Sequence, residues 1–178
     1  MILSELNLWD RFRSGDKDAL EEIYIQNFDF LLNYGYRYAD VDIVKDNIQE
    51  LFVKLYLHRD NISCCNNIRL YLARSLRNRL LDYKKNKKVE LTDRLTSDFV
   101  FDIGSEFESE YDDIDLNNIK KVQQIFNNLS SRQREILYLR YIEKLSYKEI
   151  ADLLHIECQS AKNLFVRSIA KIKELFYK

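Results

Sequence analysis

The sequence predicts an all-α protein, two small helical domains joined by an acidic flexible linker, with a helix-turn-helix in the C-terminal domain. Three observations carry that reading. The 178 residues include no proline and only three glycines, Gly15, Gly35 and Gly104, so few positions break a helix. Apolar residues recur at three- and four-residue spacing at both ends of the chain. Charge is segregated: residues 1–88 carry 15 Lys+Arg against 13 Asp+Glu, residues 89–118 one against ten, and residues 119–178 twelve against six. The predicted boundaries are 1–88 for the first domain, 89–115 for the linker and 116–178 for the second domain. With 46% hydrophobic and 13% aromatic residues there is material for compact cores, which excludes wholesale disorder.

The N-terminal domain reads as four helices. Leu6, Leu8, Trp9 and Phe12 mark a short first one. Gly15-Asp16 supplies a turn and a capping carboxylate for the second, whose stripe is Leu20, Ile23, Tyr24, Phe28, Leu31 and Leu32. The third, from about Asp42 to His58, carries Ile48, Leu51, Phe52 and Leu55 on one face. Its other residues, Asp46, Gln49, Glu50 and Lys54, suit a protein-docking surface or a solvent-facing stripe equally. The fourth, from about Asn67 to Lys85, is basic: residues 69–88 hold eight Lys+Arg and one acid, Asp82. There Arg69, Arg74, Arg77 and Lys84 alternate with Tyr71 and Tyr83. Cations that track a backbone, beside rings that accept unstacked bases, suit single-stranded DNA. An ordinary surface helix with Tyr71 in the core would read the same way.

From Val89 to about Asp113 the periodicity fades and acids dominate, the composition of a flexible segment. Helical spacing returns with Leu116, Ile119, Val122, Ile125, Phe126 and Leu129. Two capping boxes follow, Ser130 with Gln133 and Ser146 with Glu149. The second opens a short scaffold helix, Tyr147 to Leu154. His155-Ile156-Glu157 forms the turn, and a recognition helix runs from about Cys158 to Phe176. Ala151, Leu154, Ile156, Ala161, Leu164 and Ile169 are expected to pack, small Ala151 allowing a close helix crossing. Gln159, Ser160, Lys162, Asn163 and Arg167 then face outward, where amides pair with adenine edges and cations reach guanine or phosphate. A merely solvated helix face would also be polar.

Other chemistries fit poorly. Cys64, Cys65 and Cys158, with His58 nearby, match no disulfide framework and no ligand spacing, so neither a metal nor another cofactor is expected. No apolar run approaches the roughly 20 residues that span a bilayer, and the N-terminus lacks the build of a signal peptide, which predicts no membrane insertion and a cytoplasmic protein. A nuclease would need carboxylates clustered at the basic helix, where Asp82 stands alone, so no enzymatic activity is expected.

Three segments, in order, resemble the bacterial RNA polymerase sigma factors of the extracytoplasmic-function type. Asp46-Asn47-Ile48-Gln49-Glu50-Leu51-Phe52-Val53-Lys54-Leu55-Tyr56 is similar to the family's D-x-x-Q-E-x-F-x-K-L segment. Tyr71-Leu72 with Arg77-Asn78-Arg79-Leu80-Leu81-Asp82-Tyr83 is similar to its W/Y-L…R-N-x-x-x-D segment, and Leu129 to Arg167 to its second DNA-binding domain. The resemblance implies that Asp46, Gln49, Glu50 and Phe52 dock on core RNA polymerase. It implies that Asn61, Asn66, Asn67, Tyr71, Arg74, Arg77, Asn78 and Lys84 serve the −10 region and its melting, the loop from Asn61 to Asn67 receiving a flipped base. Gln159, Ser160, Lys162, Asn163 and Arg167 would contact the −35 region. The implied partners are core polymerase and promoter DNA, and exposed surfaces on both lobes would permit an anti-sigma factor. Five positions depart from the family's pattern: Tyr71 for Trp, His155 for Gly, Glu157 for Ser, and Ser160-Ala161 for Thr-Val. They bear on the −35 sequence preference. The competing reading is a helix-turn-helix repressor or activator acting apart from polymerase, which leaves the basic helix and the Asp46–Tyr56 segment without a role.

Overall fold

Uninterrupted by proline, the apolar stripes close into eight α-helices among the residues that the structure, a computed structural model, describes: 2–65, 67–90, 99–100 and 116–177. Asn66 and most of the predicted linker lie outside the described residues. The chain divides into two units, Met1–Thr96 and Ser97–Lys178.

The first unit contains α1 (Ile2–Arg13), α2 (Lys17–Tyr36), α3 (Val41–Leu57), a 3-10 turn (Arg59–Asn61) and α4 (Ile68–Glu90). α2 starts where Asp16 accepts hydrogen bonds from the backbone N–H groups of Asp18 and Ala19. Its buried stripe is Ala19, Ile23, Asn27, Phe30, Leu31, Tyr34 and Gly35. That is one residue round from the sequence expectation, so Leu20, Tyr24, Phe28 and Leu32 are only half-buried. The stripe tolerates Asn27 because its Nδ2 donates to the Ile23 carbonyl at 2.8 Å, satisfying the amide within its own helix. α3 buries Val44, Ile48, Leu51, Phe52 and Leu55, and α4 buries Ile68, Leu72, Ala73, Leu76 and Leu80 against α2 and α3. Gly35 makes this close: a Cβ there would stand 2.5 Å from Val44 Cγ1 and 3.3 Å from Leu76 Cδ2.

The second unit contains α5 (Leu116–Asn127), α6 (Ser131–Tyr141), α7 (Tyr147–Leu154) and α8 (Cys158–Phe176). Both expected capping boxes form. Ser130 Oγ accepts from Gln133 N–H while Gln133 Oε1 accepts from Ser130 N–H, and Ser146 and Glu149 do the same. α6 is buried on every side from Glu135 to Leu139. Between α7 and α8 the chain turns on His155, whose backbone is left-handed at φ 54° and ψ 50°. Ala151 and Ala161 are buried at the crossing of α7 and α8, whereas Leu154, Ile156, Leu164 and Ile169 stay half-exposed.

Two described stretches fall within the expected linker. α4 continues through Glu90, past residue 88. Phe99, expected within a free tether, is fully buried in the second unit. Its N–H donates to Ser131 Oγ at 2.7 Å, its carbonyl accepts from Arg134 Nε at 2.8 Å, and its ring lies 5.5 Å from that of Tyr138. An aromatic inside an acidic run leaves no periodic signature, so only packing reveals its burial.

Candidate nucleic-acid interface

In the first unit α4 sorts its side chains by helical spacing. Tyr71, Arg74 and Asn78, at i, i+3 and i+7, share one face; Asn78 is exposed and the other two half-buried. Tyr71 is less free than a stacking platform would be. Its ring meets the buried Trp9 edge-on at 5.4 Å, and burial pushes its phenol pKa up. Trp9 in turn donates from Nε1 to the Ser63 carbonyl at 3.1 Å, which ties the loop before α4 to α1. Asn67 spends its side chain as a cap, Oδ1 accepting from Leu70 N–H at 3.0 Å. Asn61 is exposed at the end of the 3-10 turn.

Two of the basic residues assigned to the −10 region sit elsewhere. Arg77 lies a quarter-turn away and donates from Nε to the Tyr38 hydroxyl at 3.1 Å, which itself lies 3.2 Å from the buried Tyr34 hydroxyl. Lys84 is buried. The structure thus places Tyr71, Arg74 and Asn78 on one face, with Arg77 half-buried beside it and Lys84 buried. Charge counted along a helix does not reveal which cations its packing claims.

The docking segment divides in the same way. Asp46, Gln49 and Glu50 are exposed on α3, whereas Phe52 is buried with its ring 5.0 Å from that of Tyr24. Phe52 therefore supports the face from beneath. Glu50 forms an ion pair with Arg79 of α4 and helps line a depression between the two helices with Asp46, Asn47, Lys54 and Asp82. The same exposed stripe continues, at helical spacing, to Val53 and Leu57, 58% and 64% exposed, which the sequence reading did not single out.

In the second unit Gln159, Ser160, Lys162, Asn163 and Arg167 are all exposed on α8. Gln159 and Asn163, one turn apart, hold the centre of the outward face, and Gln159 Nε2 donates to Asn163 Oδ1 at 3.0 Å. Lys162 flanks them on one side, Ser160 and Arg167 on the other. Glu157 precedes α8 as its cap residue without making a side-chain cap bond. A further basic and aromatic notch, lined by Arg140, Tyr141, Lys144, Tyr147 and Phe165, lies beside this helix. There the Arg140 guanidinium stacks 4.9 Å from the Tyr147 ring centre. Among the described residues no cluster of His, Cys, Asp or Glu could hold a metal ion.

Known proteins share this layout. Residues 119–172 match the family model described as sigma-70, region 4. The chain is 25% identical over 164 residues to the ECF RNA polymerase sigma factor SigM of Bacillus subtilis (strain 168), covering 89% of this chain and 94% of that one. It is 27% identical over 170 residues to the RNA polymerase sigma factor SigZ of the same organism, covering 95% and 85%. In fold it is similar to the sigma factor RpoE solved in complex with the anti-sigma factor NepR from Bartonella quintana (TM-score 0.63, 18% identity, 88% and 96% covered). It is equally similar to CnrH solved in complex with the cytosolic domain of CnrY (TM-score 0.63, 20% identity, 95% and 94% covered). Residues 119–172 thus match sigma-70 region 4, and over most of its length the chain is similar to RNA polymerase sigma factors, which supports a sigma factor role in promoter recognition.

Proposed function

We propose that this sigma factor binds core RNA polymerase through the exposed α3 face of its first unit and delivers both units to promoter DNA. Asp46, Gln49 and Glu50 make the polar part of that docking face, and Val53 and Leu57 extend it with apolar surface that a partner would cover. Tyr71, Arg74 and Asn78 engage the −10 strand, with Asn61 and the loop beyond it near the flipped base. Gln159, Ser160, Lys162, Asn163 and Arg167 engage the −35 duplex. Strand opening draws on binding rather than on a reaction, since unstacking a base costs a few kcal/mol that stacking and polymerase contacts offset. The chain is then not an enzyme, and it acts in the cytoplasm beside its polymerase; no helix among the described residues is long and apolar enough to cross a membrane. An anti-sigma factor would act by covering the same α3 stripe.

The observation that carries this reading is the pairing of a basic, aromatic helix in one unit with a region 4 helix-turn-helix in the other. An ordinary repressor needs only the second. The test is transcription in vitro by core polymerase on a genomic-fragment library, with and without the protein. New start sites sharing two spaced elements, arising only with the protein, are expected. Tight duplex binding by the protein alone, with no new starts, would instead make it a helix-turn-helix regulator.

A further inference from the structure

The outward face of α8 has an apolar centre that the sequence reading passed over. Val166 is 63% exposed. One exposed valine needs no explanation in itself; its position does. It stands three residues beyond Asn163 and seven beyond Gln159, so it lies on the same face as those two amides. The core side of the helix is fixed by buried Ala161 and Ser168, well round from Val166.

We propose that Val166 is a specificity-determining residue of the −35 contact, its methyl groups packing on the C5 methyl of a thymine in the major groove. This rests on the sigma-factor reading above. The hydrogen bond between Gln159 and Asn163 leaves Gln159 Oε1 as an acceptor and Asn163 Nδ2 as a donor, the complement of an adenine edge. Val166 is about 4.5 Å further along the helix axis than Asn163, close to one base-pair step of roughly 3.4 Å. It therefore meets the neighbouring pair, and it brings no hydrogen-bonding group. Of the four bases only thymine offers a methyl group in the major groove. A guanine or cytosine there would face carbon with its polar edge desolvated, which is unfavourable.

The test uses holoenzyme at subsaturating concentration on the promoter found by the library transcription. Each thymine of its −35 element is replaced in turn by deoxyuridine, which lacks only the methyl group. One such replacement is expected to lower initiation by roughly three- to tenfold, the effect that a single buried methyl supports. Val166→Ala should lose a similar factor on the thymine template and be indifferent to that replacement. The inference is overturned if no thymine is required, if no deoxyuridine has an effect, or if Val166→Ala is as sensitive as the wild type. Should Val166→Ala not fold, the deoxyuridine scan of the wild type decides alone. Failure of the sigma-factor reading would look different: no start site on the unmodified templates would depend on the protein.

Discussion

Gly35 shows two effects of one methyl group in opposition. In a helix interior alanine is worth about 1 kcal/mol over glycine by propensity, and less in a last turn such as this one. Here its Cβ would meet the fully buried Val44 at 2.5 Å, and overpacking of that kind costs typically 1–3 kcal/mol. Gly35→Ala should lower stability in urea by about 1–2 kcal/mol, and adding Val44→Ala should cost less than the two single losses together. At the start of α2 the Arg11 side chain and the N–H groups of Ala19 and Asp18 bond the Asp16 carboxylate and hold its pKa below the usual carboxylate range. Its contribution is therefore present above the unfolded value of 3.8 and is lost as pH falls through the lower folded value. Below pH 4 the urea midpoint of the wild type should fall more steeply than that of Asp16→Asn; parallel curves would remove Asp16 from the account. Asn78, exposed on the face shared with Tyr71 and Arg74, has no structural duty that the fold reveals. Asn78→Ala should reduce strand opening by roughly three- to tenfold, one net hydrogen bond, while closed-complex binding and thermal stability stay unchanged.

At the scale of elements, the helix-turn-helix is built from local signals with two exceptions. Its capping boxes are readable from four residues each, and both form. His155 occupies a left-handed position that costs an L-residue roughly 1–2 kcal/mol. Glu157 leaves α8 without a side-chain cap. Glu157→Ser should therefore stabilise the second unit by about 1 kcal/mol. It should also tighten holoenzyme binding at low salt, because a negative charge leaves the neighbourhood of phosphate. If thermal melting rises but binding does not, Glu157 lies away from the backbone. The face of α4 behaves oppositely. Its eight basic residues look alike in sequence, yet Lys84 is buried and Arg77 is half-buried against Tyr38, while Arg74 shares the Tyr71 side. Periodicity ranks positions round a helix, but it does not say where the neighbouring helices sit.

At the scale of the molecule, the chain divides into two units, Met1–Thr96 and Ser97–Lys178. Phe99 belongs to the second unit's core although the residues around it are acidic. Phe99→Ala should destabilise that unit by about 3–5 kcal/mol, the usual cost of deleting a buried phenyl ring. The melting of Met1–Thr96 should be untouched, and hydrogen exchange resolved by peptide would separate the two. Equal loss in both units would mean that they fold as one. The same anchor carries a practical expectation, because a cut placed after residue 100 would remove part of the second unit's core rather than a spacer.

The helical class, the order of the helices and their caps were legible in the order of the amino acids. Each of these follows from interactions within a few residues: missing prolines, capping pairs and apolar spacing. The resemblance to sigma factors was legible too, because three motifs keep their order along the chain. Where the residues of those motifs lie was set by packing. Phe52 and Lys84 are buried, Arg77 is half-buried against Tyr38, Glu50 is paired with Arg79 across two helices, and Phe99 is drawn into a core some thirty residues further on. Val166 is left at the centre of the exposed face. Burial and pairing depend on contacts between residues distant in sequence, and the periodicity of a single helix carries no record of them.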